Sequence, residues 1–178
     1  SSDRPLKAFV PGGSSVPILP ANLIYKTANN EDRLMTYESL SDGGFATGSM
    51  LGSGGFIVYD DTACIVRNTW NFSRFYHHES CGQCSPCREG TSWMESVLHR
   101  IENGEGKMKD IDLLVSIASK IEGNTICPLG DAASWPVGAA IRHFRSEFEF
   151  HVENPEIVKN VKHGSLEKYK EVPVIAGE

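Results

Sequence analysis

The chain lacks the features that mark several large classes of protein. No apolar run approaches the roughly 20 residues that a helix needs to cross a bilayer. The longest runs, such as FIVY and CIV, are sized for a core. The opening SSDRPLKAFV has no charged-then-apolar order, so no secretory signal is read there. An excess of positive charge is also missing: 17 Lys and Arg stand against 23 Asp and Glu, a net charge of −6, and the basic residues are scattered. Nucleic-acid binding draws on clustered cations that release counterions from the phosphate backbone, so the composition argues against it. Cysteine is scarce and odd in number, five in 178 residues. A chain of this length buries a core without disulfide staples. An odd set of thiols therefore points to a reducing compartment and to metal or redox chemistry.

The few cysteines are not spread evenly. Cys81, Cys84 and Cys87 fall within the stretch ESCGQCSPCREG. Thiolates at i, i+3 and i+6 in an irregular loop can wrap one face of a cube-shaped iron–sulfur cluster, leaving one iron for a remote ligand. The spacing equals the first three positions of the bacterial ferredoxin run. Arg88 follows the third cysteine and no near fourth exists; the remote candidate is Cys127 in TICPLGD, followed by Pro128. Zinc is the competing metal, but it usually takes its four thiolates as two C-x2-C hooks. Ordinary buried thiols are the third reading, and Gly82, Ser85, Pro86 and Gly90 oppose it because they mark a loop. Arg88 and the amides of a helix starting near Pro86 would offset the charge of a thiolate-bound cluster. Backbone N–H groups around Gly82, Gly90 and Gly130 would tune it. His77 and His78 read as exposed helix-end residues, and Cys64 as a small core residue.

The pattern around these residues is α+β. Residues 1–58 carry short β-like runs, KAFV, VPIL and GFIVY, separated by the turns PGGSS and GSGG. Four helices follow. The first is expected from an N-cap at Asp61 to about His78, with Ile65, Val66, Thr69, Phe72, Phe75 and Tyr76 in its pattern. The second runs from Pro86 to Asn103 through Trp93, Met94, Val97, Leu98 and Ile101. The third runs from about Asp110 to Ile121. The fourth spans Ala133–His151, with Pro136 in its first turn. Short links make this an antiparallel bundle over 59–152. Cys81, Cys84 and Cys87 occupy the first link and Cys127 the third, and these links share one end of an up-and-down bundle. The tail 153–178 is polar and weakly patterned, and is expected to be partly disordered or partner-bound.

With these residues laid out, the chain resembles the NADH-binding flavoprotein subunit of respiratory complex I, the NADH:quinone oxidoreductase. ESCGQCSPCREG matches that family's cluster signature and IEGNTICPLGDAASWPV its second cluster segment. VPGGSSVPILP, GSMLGSGGFIVYDD and IRHFRSEFEFH are also similar to the family, so the resemblance covers about residues 5 to 152. It implies part of a β-grasp domain in 1–58 and a helical bundle in 59–152. The bundle would carry one 4Fe-4S cluster on Cys81, Cys84, Cys87 and Cys127. In the whole subunit NADH would reduce FMN, and the cluster would pass electrons singly toward quinone. The family's flavin-binding and nucleotide-binding segments have no counterpart here: PGGSS and GSGG open no helix in a strand-turn-helix unit and read as structural turns. The chain is thus expected to be a C-terminal part of the subunit, to hold no FMN or NADH itself, to carry no catalytic residue and not to oxidise NADH alone. The implied partners are peripheral-arm subunits, including an iron–sulfur subunit. The implied place is beside the membrane, not in it, on the bacterial cytoplasmic or mitochondrial matrix side. The PLGD loop after Cys127 would face the flavin. Subunits of NAD-linked hydrogenases and formate dehydrogenases share these motifs and stand as the alternative, beside a structural zinc or subunit-contact module.

Overall fold

In β1, Leu6–Val10, four residues in succession are buried, which is how a short apolar run behaves as the central strand of a sheet. A computed structural model describes residues 4–22, 25–26, 32–33, 40 and 48–160. The tail beyond residue 160 and most of 23–47 lie outside the described residues. β1 pairs antiparallel with β2, Leu19–Pro20, on one side. β5, Ile57–Asp60, flanks it on the other. Pro20 sits on an edge strand, where its missing N–H costs no ladder bond. A separate two-stranded ladder joins β3, Tyr25–Lys26, to β4, Asp32–Arg33.

The two glycine turns pack on each other. Gly13 N–H donates to Gly55 O at 2.8 Å, and a Cβ on Gly12 would clash with Leu51 O. Close backbone approach is what the PGGSS and GSGG glycines permit.

Four long helices follow: α1 Ile65–Glu79, α2 Ser85–Glu102, α3 Met108–Ile121 and α4 Leu129–Glu153. α1 and α3 each pack against α2 and α4, closing an antiparallel ring. Its core is built by Val66, Met94, Leu98, Ile101, Ile111, Leu114, Val137 and Phe148, all fully buried. Ala8, Val10, Val16 and Ile18 of the sheet unit join the same core, and the α+β class holds.

Several local expectations change. Cys64, not Asp61, caps α1, its sulfur accepting from Arg67 N at 3.4 Å. Phe75 and Trp93, placed in the apolar pattern, are 50% and 57% exposed. α3 starts at Met108 because Asp110, as its third residue, accepts from Lys107 N at 2.8 Å while its own N–H donates to Lys107 O at 2.8 Å. α4 begins at Leu129, so Pro136 lies inside the helix and not in its first turn. The residue at the centre of its apolar stripe, Phe144, leaves helical geometry at φ −132° and ψ 30°. A short helix, α5 Pro155–Asn160, opens on its proline in the segment read as tail.

Candidate metal centre

α1 ends at Ser80, and Gly82 turns the chain with φ +76°, a conformation that L side chains rarely adopt. Cys84 then caps α2 and Cys87 sits in its first turn, with the Thr91 hydroxyl donating to Cys87 O at 2.8 Å. Ser80 Oγ lies 3.2 Å from Cys87 Sγ and accepts from Gly82 N at 3.4 Å, tying the loop to its third sulfur. Arg88 closes the loop from outside. Its guanidinium donates to Gly82 O at 2.8 Å and pairs with Glu89 at 2.9 Å, so part of the charge expected to face the thiolates is shared with that carboxylate.

On the facing link, α3 stops at Gly123 with φ +70°, whose N–H donates to Asp131 Oδ1 at 2.7 Å. Thr125 Oγ1 donates to Cys127 O at 2.9 Å, and a Cβ on Gly130 would lie 2.5 Å from that hydroxyl. PLGD is therefore not a free loop: Pro128 caps α4, and Leu129, Gly130 and Asp131 form its first turn. The links meet where Ile126 N–H donates to Cys84 Sγ at 3.4 Å, joining residues 42 apart. Cys87 is buried, Cys84 half-buried, and Cys81 and Cys127 exposed. His77 and His78 stand exposed in the last turn of α1.

Two helix N-termini, those of α2 and α4, thus lie beside the cysteines, each offering free N–H groups and the positive end of a helix dipole. The sequence hides the second, because Pro136 competes as a start signal. Asp131, an acid in the true first turn, is the clue that points to the earlier start. Among the described residues, no three of these four sulfurs lie with all members within 4.8 Å of one another.

A second polar group lies at the opposite end of the bundle. Cys64 Sγ is 3.3 Å from His151 Nε2, and His151 Nδ1 is 3.7 Å from Glu102 Oε2. Beside them Lys7 Nζ meets Glu147 Oε2 at 2.9 Å, with both side chains buried, and Glu147 Oε1 accepts from Ile65 N at 2.8 Å. Burial pushes the Cys64 thiol up and Glu102 up to about 7, and it pushes His151 down to about 4. Cys64 is buried, as expected, yet it is a capping and hydrogen-bonding residue more than a filler.

The thiol-bearing links lie together at one end of a helical bundle, and comparison with known proteins likens this bundle to an iron–sulfur binding region. Residues 67–151 match the family model described as the NADH-ubiquinone oxidoreductase-F iron-sulfur binding region. The chain is 49% identical over 148 residues to the NADH-quinone oxidoreductase F subunit of Rickettsia bellii (strain OSU 85-389), covering 83% of this chain and 33% of that one. It is 43% identical over 162 residues to an F subunit of the same enzyme from Rhizobium meliloti (strain 1021), covering 90% and 35%. Among solved structures, an NAD+-reducing NiFe hydrogenase in the H2-reduced state superposes with a TM-score of 0.66 at 28% identity, covering 83% of this chain and 23% of that chain. Residues 67–151 thus match an iron–sulfur binding region of the kind found in the F subunit of NADH-quinone oxidoreductase, as the resemblance in the sequence implied. The chain spans about a third of the length of the curated relatives it matches. Among the described residues no helix is long and apolar enough to cross a membrane.

Proposed function

We propose that Cys81, Cys84, Cys87 and Cys127 together ligate one 4Fe-4S cluster, and that this module relays single electrons within the flavoprotein subunit of an NADH:quinone oxidoreductase. The observation that carries the reading is the Ile126 N–H to Cys84 Sγ contact, which sets the remote cysteine's link against the three-cysteine loop. When bound, such a cluster supplies a one-electron donor and acceptor whose potential follows net charge and hydrogen bonds to sulfur.

The chain's own residues supply the rest. Cys81, Cys84 and Cys87 offer three sulfurs from one side and Cys127 the fourth from across the gap. The Ile126 amide and the N-termini of α2 and α4 lower the cost of holding net negative charge. Cys87 faces protein while Cys81 and Cys127 face the surface, so electrons have a short exit to a partner. A single zinc ion with Zn–S bonds near 2.3 Å would want its sulfurs ~3.8 Å apart. Among the described residues no three of the four sulfurs gather within 4.8 Å, a wider set than a single zinc ion takes.

In this reading, residues 1–58 are part of a β-grasp domain, 59–152 the cluster bundle and 153–178 a tail. FMN and NADH bind elsewhere in the whole subunit, and an iron–sulfur subunit of the peripheral arm takes the electrons. The hydrogenase likeness supports a second reading, the equivalent module of an NAD+-reducing hydrogenase. Identity of 49% to the quinone oxidoreductase relative against 28% to the hydrogenase favours the first.

Iron and sulfide analysis of the anaerobically purified chain, with EPR of its reduced form, tests the proposal. Cys127→Ala should lose the cluster or convert it to a three-iron form. An unchanged four-iron spectrum in that variant would refute the ligand assignment.

A further inference from the structure

We propose that Cys64, Glu102 and one ring nitrogen of His151 form a second metal site, for a single divalent cation of the zinc class, at the end of the bundle away from the cluster cysteines. The three residues come from the cap of α1, the last turn of α2 and the last turn of α4. One donor atom from each lies within 4.8 Å of the other two. A thiolate, an imidazole and a carboxylate are the donors zinc accepts, and three protein donors is the count of an open zinc site.

The surroundings favour a cation. Glu102 Oε2 is a buried carboxylate oxygen with no hydrogen-bond partner, and such an atom is costly unless a charge meets it. Glu102 Oε1 is held by Arg67 at 3.3 Å, which fixes the carboxylate in place. Cys64 is 2% exposed and His151 fully buried, so these two donors are preset and dry.

Charge also balances. One thiolate and one carboxylate carry the charge of a dication, the adjoining Lys7–Glu147 pair is neutral by itself, and the remaining cation, Arg67 on Glu102 Oε1, is 31% exposed and so screened by solvent. Binding displaces the Cys64 thiol proton to solvent, a metal–sulfur bond replaces the S–H bond, and no electron changes hands. The ion would tie the caps of three helices together next to Ala63 and Ile65, whose backbone groups bind Lys7 and Glu147.

The inference is independent of the cluster reading. Co2+ alone, titrated into the full chain carrying its iron–sulfur cluster, is the probe. The expected result is one equivalent bound with thiolate-to-cobalt charge-transfer absorption. That absorption should be absent from Cys64→Ala and retained in Cys127→Ala. Glu102→Gln, an isosteric change that keeps the fold by circular dichroism, should weaken binding by more than the 10–100-fold that loss of an outer-shell partner costs. Zn2+ should raise the melting temperature of the wild type and leave that of Glu102→Gln unmoved. Absorption that persists in Cys64→Ala, or equal affinity in Glu102→Gln, overturns the site. Failure of the cluster reading would show separately, as missing iron with the Cys64-dependent band intact.

Discussion

Removing the charge of Glu102 should change the protein's stability in a pH-dependent way whose sign the structure fixes. Glu102 is half-buried, and its partial loss of solvent lifts its carboxyl from 4.5 to about 7 against the opposing pull of Arg67. Its neighbour His151 moves the other way, from 6.5 to about 4, because burial disfavours the imidazolium. A raised carboxyl pKa means that the folded chain keeps a proton the unfolded chain has released. The contribution of Glu102 is therefore full below about pH 4.5 and is lost as pH rises through about 7. His151 contributes fully above pH 6.5, and that contribution is lost as pH falls through about 4. At about 1.4 kcal/mol per pH unit, each span is worth at most about 3 kcal/mol. The two slopes oppose each other between about pH 4.5 and 6.5, so in the wild type this pair nearly cancels. Glu102→Gln removes one slope and keeps an oxygen for Arg67. The variant should therefore gain on the wild type as pH rises from about 4.5 to about 7, by up to about 3 kcal/mol, and hold a level advantage above that. Urea denaturation followed by circular dichroism from about pH 5 to about pH 8, with chelator present, measures the difference, and contributions common to both chains cancel. A difference that does not vary with pH, or that shrinks as pH rises, refutes the reasoning.

Further outcomes rest on packing and placement. A Cβ on Gly90 would lie 2.6 Å from Ile121 Cδ1 and Cγ1, where α2 meets α3, so Gly90→Ala should cost about 1–3 kcal/mol despite its better helix propensity. Gly138→Ala meets nothing within 4 Å and should stabilise by roughly 0.5–1 kcal/mol, and thermal melts of the two variants check the contrast. Lys7→Met leaves the Glu147 carboxylate buried without its cation and should cost about 3–5 kcal/mol by denaturant titration. Adding Glu147→Gln should recover most of that loss, since the amide oxygen still accepts from Ile65 N. Cys64→Ala should leave the four-iron EPR signal of the reduced chain intact, because Cys64 lies at the far end of α1 from Cys81.

What could be read in advance divides by whether the signal is local. The spacing of Cys81, Cys84 and Cys87 is set by covalent geometry, and the link that holds Cys127 followed from counting helices, so both were legible. Helix ends were less so, because two signals competed at each. Asp61 is the better cap by type, yet Cys64 takes the position because Glu147 accepts from Ile65 N and His151 meets the sulfur. Both of those partners come from a helix more than eighty residues away. Pro136 suggested a late start for α4, whereas the carbonyl of Pro128 already accepts from Ala132 N at 2.9 Å.

The buried polar group carried a signal of a different kind. Glu147 and His151 sit on the same α4 stripe as Ile141, Phe144 and Phe148, where helical period places only core residues. Lys7 interrupts the apolar run of β1 in the same way. A charge on a face that must be buried cannot stay unpaired, since desolvation costs several kcal/mol for a lone ion. One cation and one anion were each misplaced in this manner on separate elements. The simplest solution is that each is the other's partner, and the 2.9 Å contact between Lys7 and Glu147 meets that demand. Applied to Glu102, the same logic finds Arg67 on Oε1 but leaves Oε2 buried without a hydrogen bond, which is why a second cation at that oxygen is the partner to test for.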